Sequence, residues 1–319
     1  MPKRLQSPHI VFGAFFVLIV LFGLQPSHTL GAFTASVQNT QNTAGYGVTA
    51  APTATATPAP SVTAGATSTS KPARPIVGPK EPQTCGAAIV DSARRNGIFA
   101  YQFGADTGAD VVTDQSGRGF DALNYKQKNQ SSFVSPCQKD QLAALNFKGN
   151  GGVVVTMGEA VLPSDLTVEV WFRTSESGTI VGFYPEPIPG PKAGQPSFKL
   201  DVVRNNGELV FSTAGPSGFD TVHSGFSVAD GQWHHAVAVR DDTAHTLQLF
   251  VDGHLVSSET TRHPMNLQPG YFRFGEDRIE NWPGIGNNPQ GFRGDLAFGA
   301  AYRRALSEQE IDQHFAARR

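Results

Sequence analysis

Apolar and polar residues alternate with a period of two through much of the chain after residue 97, the pattern of strands with one face buried. The clearest run is residues 231–258, GQWHHAVAVRDDTAHTLQLFVDGHLVSS. Residues 232–240 form a strand with Trp233, His235, Val237 and Val239 on one face and His234, Ala236, Ala238 and Arg240 on the other. A polar turn at 241–244 leads to a second strand, 246–251, with Leu247, Leu249 and Val251 on one side. Asp252-Gly253 then supplies two residues that tolerate positive φ, as a two-residue hairpin turn requires, and Leu255 and Val256 begin a return strand. The stretch reads as the centre of an antiparallel sheet. Residues 166–173 alternate as cleanly, with Leu166, Val168, Val170 and Phe172 inward and Thr167, Glu169, Trp171 and Arg173 on the other side.

Further strand patterns lie at 98–103, 179–184, 198–204, 208–212, 221–228, 271–275 and 292–302. Segments 142–147 and 153–156 read as a hairpin joined by the Gly-rich Gly149-Asn150-Gly151-Gly152. Strands this closely spaced, with almost no helical pattern between them, predict an all-β sandwich of two antiparallel sheets. The chain ends differently. Ser307-Glu308-Gln309-Glu310 has the form of a capping box, Ile311 and Phe315 share one face of a short helix, and Arg318-Arg319 suit the negative end of its dipole.

The N-terminal part has another character. Lys3-Arg4 precedes an apolar run, residues 10–24, which fits either a cleaved signal peptide or an uncleaved membrane anchor within residues 1–33. Residues 34–84 are Thr, Ala, Pro, Ser and Gly with few large apolar side chains, so they cannot bury enough surface to offset the entropy of ordering. They read as a disordered stalk, either bare or O-glycosylated, that carries a folded domain at 85–319. Both readings of the leader place that domain in a secreted form or on the outer face of a membrane. In such a compartment the two cysteines, Cys85 and Cys137, read as a disulfide. Asn129-Gln130-Ser131 is an N-glycosylation sequon.

Composition changes the picture little. Gly 34, Pro 22 and Phe 22 against Met 3 favour a turn-rich β protein. A net charge of −2 without a basic stripe argues against nucleic acid as a partner. There is no G-x-S-x-G, and the Gly-rich turn after residue 148 lacks the Lys and following helix of a phosphate loop. His234 and His235 point to opposite faces of one strand, so they cannot chelate a single ion from one face. Glu276, Asp277 and Glu280 stand in a Pro/Gly loop without the strand spacing of a glycosidase pair. Trp282 stands in the same loop with Arg278, Asn281, Asn287 and Asn288, and Tyr184 adjoins a second Pro/Gly loop. An indole plate among amides and a guanidinium is one way to build a sugar site; the other reading of Trp282 is a pin that holds its loop to the sheet.

Several segments together resemble the concanavalin A-like, LamG-like jellyroll domains. They are Trp233-His234-His235-Ala236-Val237, Leu249-Phe250-Val251-Asp252-Gly253, Arg304-Ala305-Leu306-Ser307 with Glu310-Ile311, Asp114-x-Ser116-Gly117-Arg118-Gly119, Ala144-Leu145-Asn146-Phe147-x-Gly149 and Leu166-Thr167-Val168-Glu169-Val170-Trp171. The resemblance implies a two-sheet jellyroll of about a dozen strands and a non-catalytic extracellular module that binds glycan. A protein-adhesion domain and a purely structural surface domain are the alternatives, with a glycoside hydrolase behind them. It also implies a Ca²⁺ ion, held by Asp114 and Asp295 with carbonyls around Gly117 and Gly119. The chain departs from the family here: Ala297 and Phe298 stand where an Asp-Glu pair is usual.

Overall fold

The computed structural model describes residues 84–319, apart from 107–108, 126–129, 135, 138, 141–142, 150, 189–194, 204, 276–281 and 283–290. The leader, the stalk, Asn129 of the sequon and most of the loop after Gly275 therefore lie outside the described residues. The chain begins with α1 (Cys85–Asn96), then β1 (Gly97–Gln102), β2 (Val111–Val112), β3 (Ala122–Tyr125), β4 (Gln130–Val134), β5 (Ala143–Lys148), β6 (Val153–Thr156), β7 (Leu166–Arg173) and β8 (Gly178–Tyr184). It continues with β9 (Phe198–Val202), β10 (Glu208–Gly215), β11 (Gly218–Ser227), β12 (Trp233–Asp241), β13 (Thr246–Val251), β14 (His254–Thr260), β15 (Tyr271–Phe274), β16 (Arg293–Tyr302) and α2 (Glu308–Ala316). Among the described residues no helix is long and apolar enough to cross a membrane.

The strands make two antiparallel sheets, as the alternation predicts. Sheet A runs β14-β13-β12-β7-β16-β5-β4, with β1 also paired to β16. Sheet B runs β11-β10-β9-β8-β15-β6-β3-β2. Their inner faces share one core in which Phe99, Phe172, Phe183, Phe198, Phe211, Phe272 and Phe274 are buried. Phe272 meets Phe99 and Phe183 edge to face, which adds quadrupole complementarity to area burial.

The run at 231–258 is a three-strand meander, β12-β13-β14, but it forms one end of sheet A rather than its centre, with β14 at the edge. Its turn has Asp252 at φ 53° and Gly253 at φ 81°, both left-handed. The expected hairpin of 142–147 with 153–156 does not form. β5 pairs with β16 in sheet A and β6 pairs with β3 and β15 in sheet B, so the Gly-rich link crosses between layers.

In the middle of sheet A, β7, most of β12 and most of β16 are buried on both faces. The side of β7 expected to face away from the core carries Trp171, and with Val237 and Val239 of β12 it packs under the helices against Ile89, Ala93, Leu306 and Ile311. Helix α1 is not among the elements expected above, although its buried Cys85, Ala88, Ile89, Ser92 and Ala93 recur at the spacing of one helical face. Its N-cap is Thr84, whose hydroxyl accepts from the Ala87 N–H at 3.2 Å. Cys85 in its first turn is bonded to Cys137, with Cα atoms 5.9 Å apart, so the expected disulfide ties α1 to the segment between β4 and β5. Helix α2 has the expected capping box: the Ser307 hydroxyl accepts from Glu310 N, and the Glu310 carboxylate accepts from Ser307 N at 3.1 Å. Arg304 forks onto Glu310 at 2.8 and 2.6 Å and is the main reason its carboxyl is lowered to about 2. Phe315 stacks on Trp171 at 5.8 Å and so fastens α2 to the sheet.

Candidate functional site

The ends of β5, β7 and β16 lie side by side, and their register brings Lys148 opposite Arg293 and Asn146 and Arg173 opposite Asp295. Around them opens a cleft of about 330 Å³ lined by Asn146, Lys148, Arg173, Glu176, Arg293 and Asp295, with Thr174 and Ser175 beside them. The volume lies at the lower end of small-ligand pockets. Asp295 anchors its floor. The Arg173 guanidinium donates to Asp295 Oδ2 from Nε at 3.1 Å and from Nη2 at 2.5 Å, and the Asn146 amide donates to Oδ1 at 2.8 Å. The Arg173 guanidinium also lies 5.3 Å from the Trp233 ring centroid. Thr174 closes the back by donating to the Arg293 carbonyl at 2.5 Å. These side chains are held before any ligand arrives, so binding need not order them.

The calcium set does not fit this arrangement. Asp295 is occupied by a cation already, the fork of Arg173. Asp114 accepts four backbone N–H groups, from Ala100 at 3.0, Ser116 at 2.9, Arg118 at 3.1 and Phe120 at 3.2 Å. Its carboxylate organises the Gly117 and Gly119 loop, where both glycines have positive φ. Calcium needs six or more oxygens free to face it, and these two carboxylates point theirs at donors.

Neither candidate aromatic is an open plate. Trp282 is 2 % exposed, with Phe219 edge-on at 5.1 Å and Val210 and Ala214 beneath it. It sits as a pin on the outer face of sheet B. Tyr184 is buried on the same face, because β8 alternates and Phe183 takes the core side. Arg278, Asn281, Asn287 and Asn288, together with Glu276, Asp277 and Glu280, lie outside the described residues.

The histidines diverge as strand geometry requires. His234 Nδ1 lies 2.9 Å from Asp252 and its Nε2 3.2 Å from Asp230. Half-burial opposes its charge, and these carboxylates outweigh that and raise its pKa. His235 turns the other way, its Nε2 2.8 Å from the buried Glu169. His314 Nδ1 is 3.1 Å from both Glu169 oxygens, and the Tyr302 hydroxyl donates to Glu169 at 2.7 Å. This cluster is buried between sheet A and α2, with Glu169 and His235 at 0 % exposure, and the carboxylate already has His235, His314 and Tyr302 as partners, so nothing in it calls for a ligand.

The cleft residues Lys148, Arg173 and Arg293 were not singled out from sequence. Each ends or begins a strand, where a charged residue is ordinary, and only register brings the three ends together.

With the geometry in hand, comparison with known proteins gives the family. A family model described as the concanavalin A-like lectin/glucanases superfamily matches residues 147–312, just over half of the chain. The chain belongs to this superfamily. Among solved structures it is similar to the binding domain of Paraclostridial mosquitocidal protein 1, at 15% identity and TM-score 0.50, over 70% of this chain and 52% of that one. It is also similar to the binding domain of botulinum neurotoxin serotype D/C, at 12% identity and TM-score 0.51, over 71% and 53% of the two chains. The chain thus spans about half the length of these domains, and at such identities the likeness is one of fold. No curated protein matches the chain.

Proposed function

We propose that the protein is an exported, non-catalytic recognition module that binds carbohydrate at the cleft between the ends of β5, β7 and β16. The observation that carries this reading is the lining of that cleft. Amide, guanidinium, ammonium, hydroxyl and carboxylate groups alternate there, and a sugar offers the matching ring of donors and acceptors. The orientation of Arg173, Asn146 and Asp295 is preset by their mutual bonds.

Catalysis is disfavoured by the state of the same carboxylates. A glycosidase needs one carboxyl to give a proton and another to act as base or nucleophile across the bond. Asp295 is bound by Arg173, and Glu176 faces Arg293 at 3.4 Å. Export rests on the charged and apolar leader and on the stalk; the disulfide is in keeping with it. A glycan array probed with the full chain, with and without calcium, tests the reading. Retention of one glycan class, weakened at least tenfold in an Arg173→Ala or Asn146→Ala variant that still melts cooperatively, is the expected result. Empty arrays in both conditions would end it and leave adhesion to a surface protein.

A further inference from the structure

Sheet B has a row of polar residues on its outer face that the cleft does not use. Strand register aligns Arg273, Gly182, Lys199, Ser212 and Thr221 across β15, β8, β9, β10 and β11. Their chain neighbours Phe272, Phe274, Phe183, Phe198, Leu200 and Phe211 fill the sandwich core, so alternation sends this row outward. The Tyr184 ring folds back over Gly182, where an added Cβ would meet its ring and hydroxyl atoms at 2.6–2.9 Å. The Arg273 guanidinium lies on that ring, 3.4 Å from its centroid. Lys199 is 5.7 Å from the Trp282 ring centroid and 3.4 Å from Asp201, and Asp201 also accepts from the Thr179 hydroxyl.

The charges on this face do not balance at Arg273. It is 0 % exposed, and among the described residues its Nε, Nη1 and Nη2 have no hydrogen-bond partner. Trp282 Nε1, buried on the same face, has none either. Both groups can only donate, and a guanidinium does not shed its charge in a protein. An aromatic face offsets part of the charge but supplies no acceptor for in-plane N–H groups. Burying an ion without a partner is among the costliest features a fold can carry. What is missing is an acceptor with negative charge and two oxygens, the shape that a guanidinium fork matches.

We infer that the outer face of sheet B is an oxyanion-binding site, in which Arg273, stacked on Tyr184 and flanked by Lys199 and Trp282, holds a carboxylate or sulfate group. The group is either a free ion or the acidic substituent of a saccharide. The site is separate from the cleft, and its existence does not depend on the carbohydrate reading.

The test uses the full chain in chloride buffer, with thermal melting and calorimetric titration as readouts. The probes are acetate, inorganic sulfate, and the pair glucose and glucuronate. Expected is saturable binding of at least one anion with a rise in melting temperature of about 5–10 °C at saturation, absent in Arg273→Met. Sulfate stabilises most proteins by exclusion from their surfaces, and that part is equal in both chains. Binding of acetate or sulfate alone assigns a free ion; glucuronate binding about 10- to 100-fold tighter than acetate, with glucose inert, assigns an acidic sugar. Arg273→Met in chloride is expected to melt at or above the parent temperature, because an uncompensated charge has been removed. Trp282→Phe, which keeps the ring and loses only Nε1–H, is expected to weaken binding without changing the melt.

Equal responses of parent and Arg273→Met to every anion would overturn the inference, as would no response in either. So would an Arg273→Met chain that fails to fold or melts far below the parent, since that shows a counter-charge within the chain itself. None of these results bears on sugar binding at the cleft, which Arg173→Ala reads separately.

Discussion

Glu169 meets three side chains, His235, His314 and Tyr302, and replacing it with Gln is the sharpest test of how α2 is held. It is fully buried, and burial alone would raise its pKa. The His314 charge, with hydrogen bonds from His235 and His314, overrides that and holds the carboxyl well below the usual range. Burial likewise works against charge on His314, and Glu169 overrides it and raises His314. The ion pair therefore supports the fold in a pH window. The Glu169 part is complete above the unfolded carboxyl pKa, about 4.3, and is lost as pH falls through its depressed folded value. The His314 part is complete below the unfolded imidazole pKa, about 6.5, and is lost as pH rises through its elevated folded value. The pair contributes most between these limits. Removing one member of a buried ion pair costs about 3–5 kcal/mol, and Glu169→Gln belongs at the lower end, near 3 kcal/mol at pH 6, because its carbonyl still accepts one bond. Its amide N–H₂ must then face a donor from Tyr302, His235 or His314. As pH rises through the elevated His314 value the ion-pair part is lost, and the cost of the substitution falls toward that mismatch of about 1–2 kcal/mol. Urea unfolding followed by far-UV circular dichroism at pH 6 and pH 9 measures both values, with an unchanged m-value as the check that the unfolded state is the same. A loss that is equal at the two pH values, or below about 1 kcal/mol at pH 6, would refute the ion-pair account.

Other expectations follow from single contacts. Gly253→Ala places a side chain at φ 81° and sets its Cβ 2.9 Å from the Phe315 ring, so it is expected to lose about 1–2 kcal/mol from the left-handed backbone and further packing at α2, read as a lower urea midpoint. Alkylation without reductant is expected to leave the mass unchanged, and reduction of Cys85–Cys137, which closes a separation of 52 residues, to cost up to about 4 kcal/mol in urea; two alkyl groups added without reductant would show free thiols. Chelation of divalent cations is expected to leave the melting temperature unchanged, whereas Asp114→Ala, which strips four N–H groups of their acceptor, is expected to lower it by several degrees; a fall on chelation would restore the calcium reading of Asp114 and Asp295.

What the sequence made legible was whatever has a local cause. Period-two alternation marks β7, β12 and β13, because each residue's face is set by its neighbour. Asp252-Gly253 marks the turn through φ, and Ser307 with Glu310 marks the cap of α2 through hydrogen bonds three residues apart. What it hid was whatever depends on a second segment. Alternation on β7 puts Glu169 and Trp171 opposite the core, and the natural reading of that face is solvent; only the return of α1 and α2 over it, from opposite ends of the domain, makes it a second core. The same holds for β5 and β6, whose order in the chain suggests a hairpin and each of which instead takes one partner, β16 or β15, from more than a hundred residues later.

The two open readings of Trp282 have this cause too. From sequence, an indole in a loop rich in Asn, Pro and Gly is as easily a ligand plate as a pin. Its neighbours Val210, Ala214 and Phe219 decide the matter, since each lies on the outer side of β10 or β11 and together they form an apolar bed for the ring. Yet the bed lies beside Lys199 and on the sheet face that carries Arg273, and neither cation could have been read as buried from the short motif FKLDV or YFRF. A strand with one face in the core normally turns its charges to water. Here Lys199 and Arg273 on the outer face of sheet B are buried as well, so their charges must be answered on that face. Lys199 has Asp201. Arg273 has a tyrosine ring and, among the described residues, no acceptor for its nitrogens, which is why the missing anion, rather than an open aromatic plate, is the feature of this face that points to a ligand.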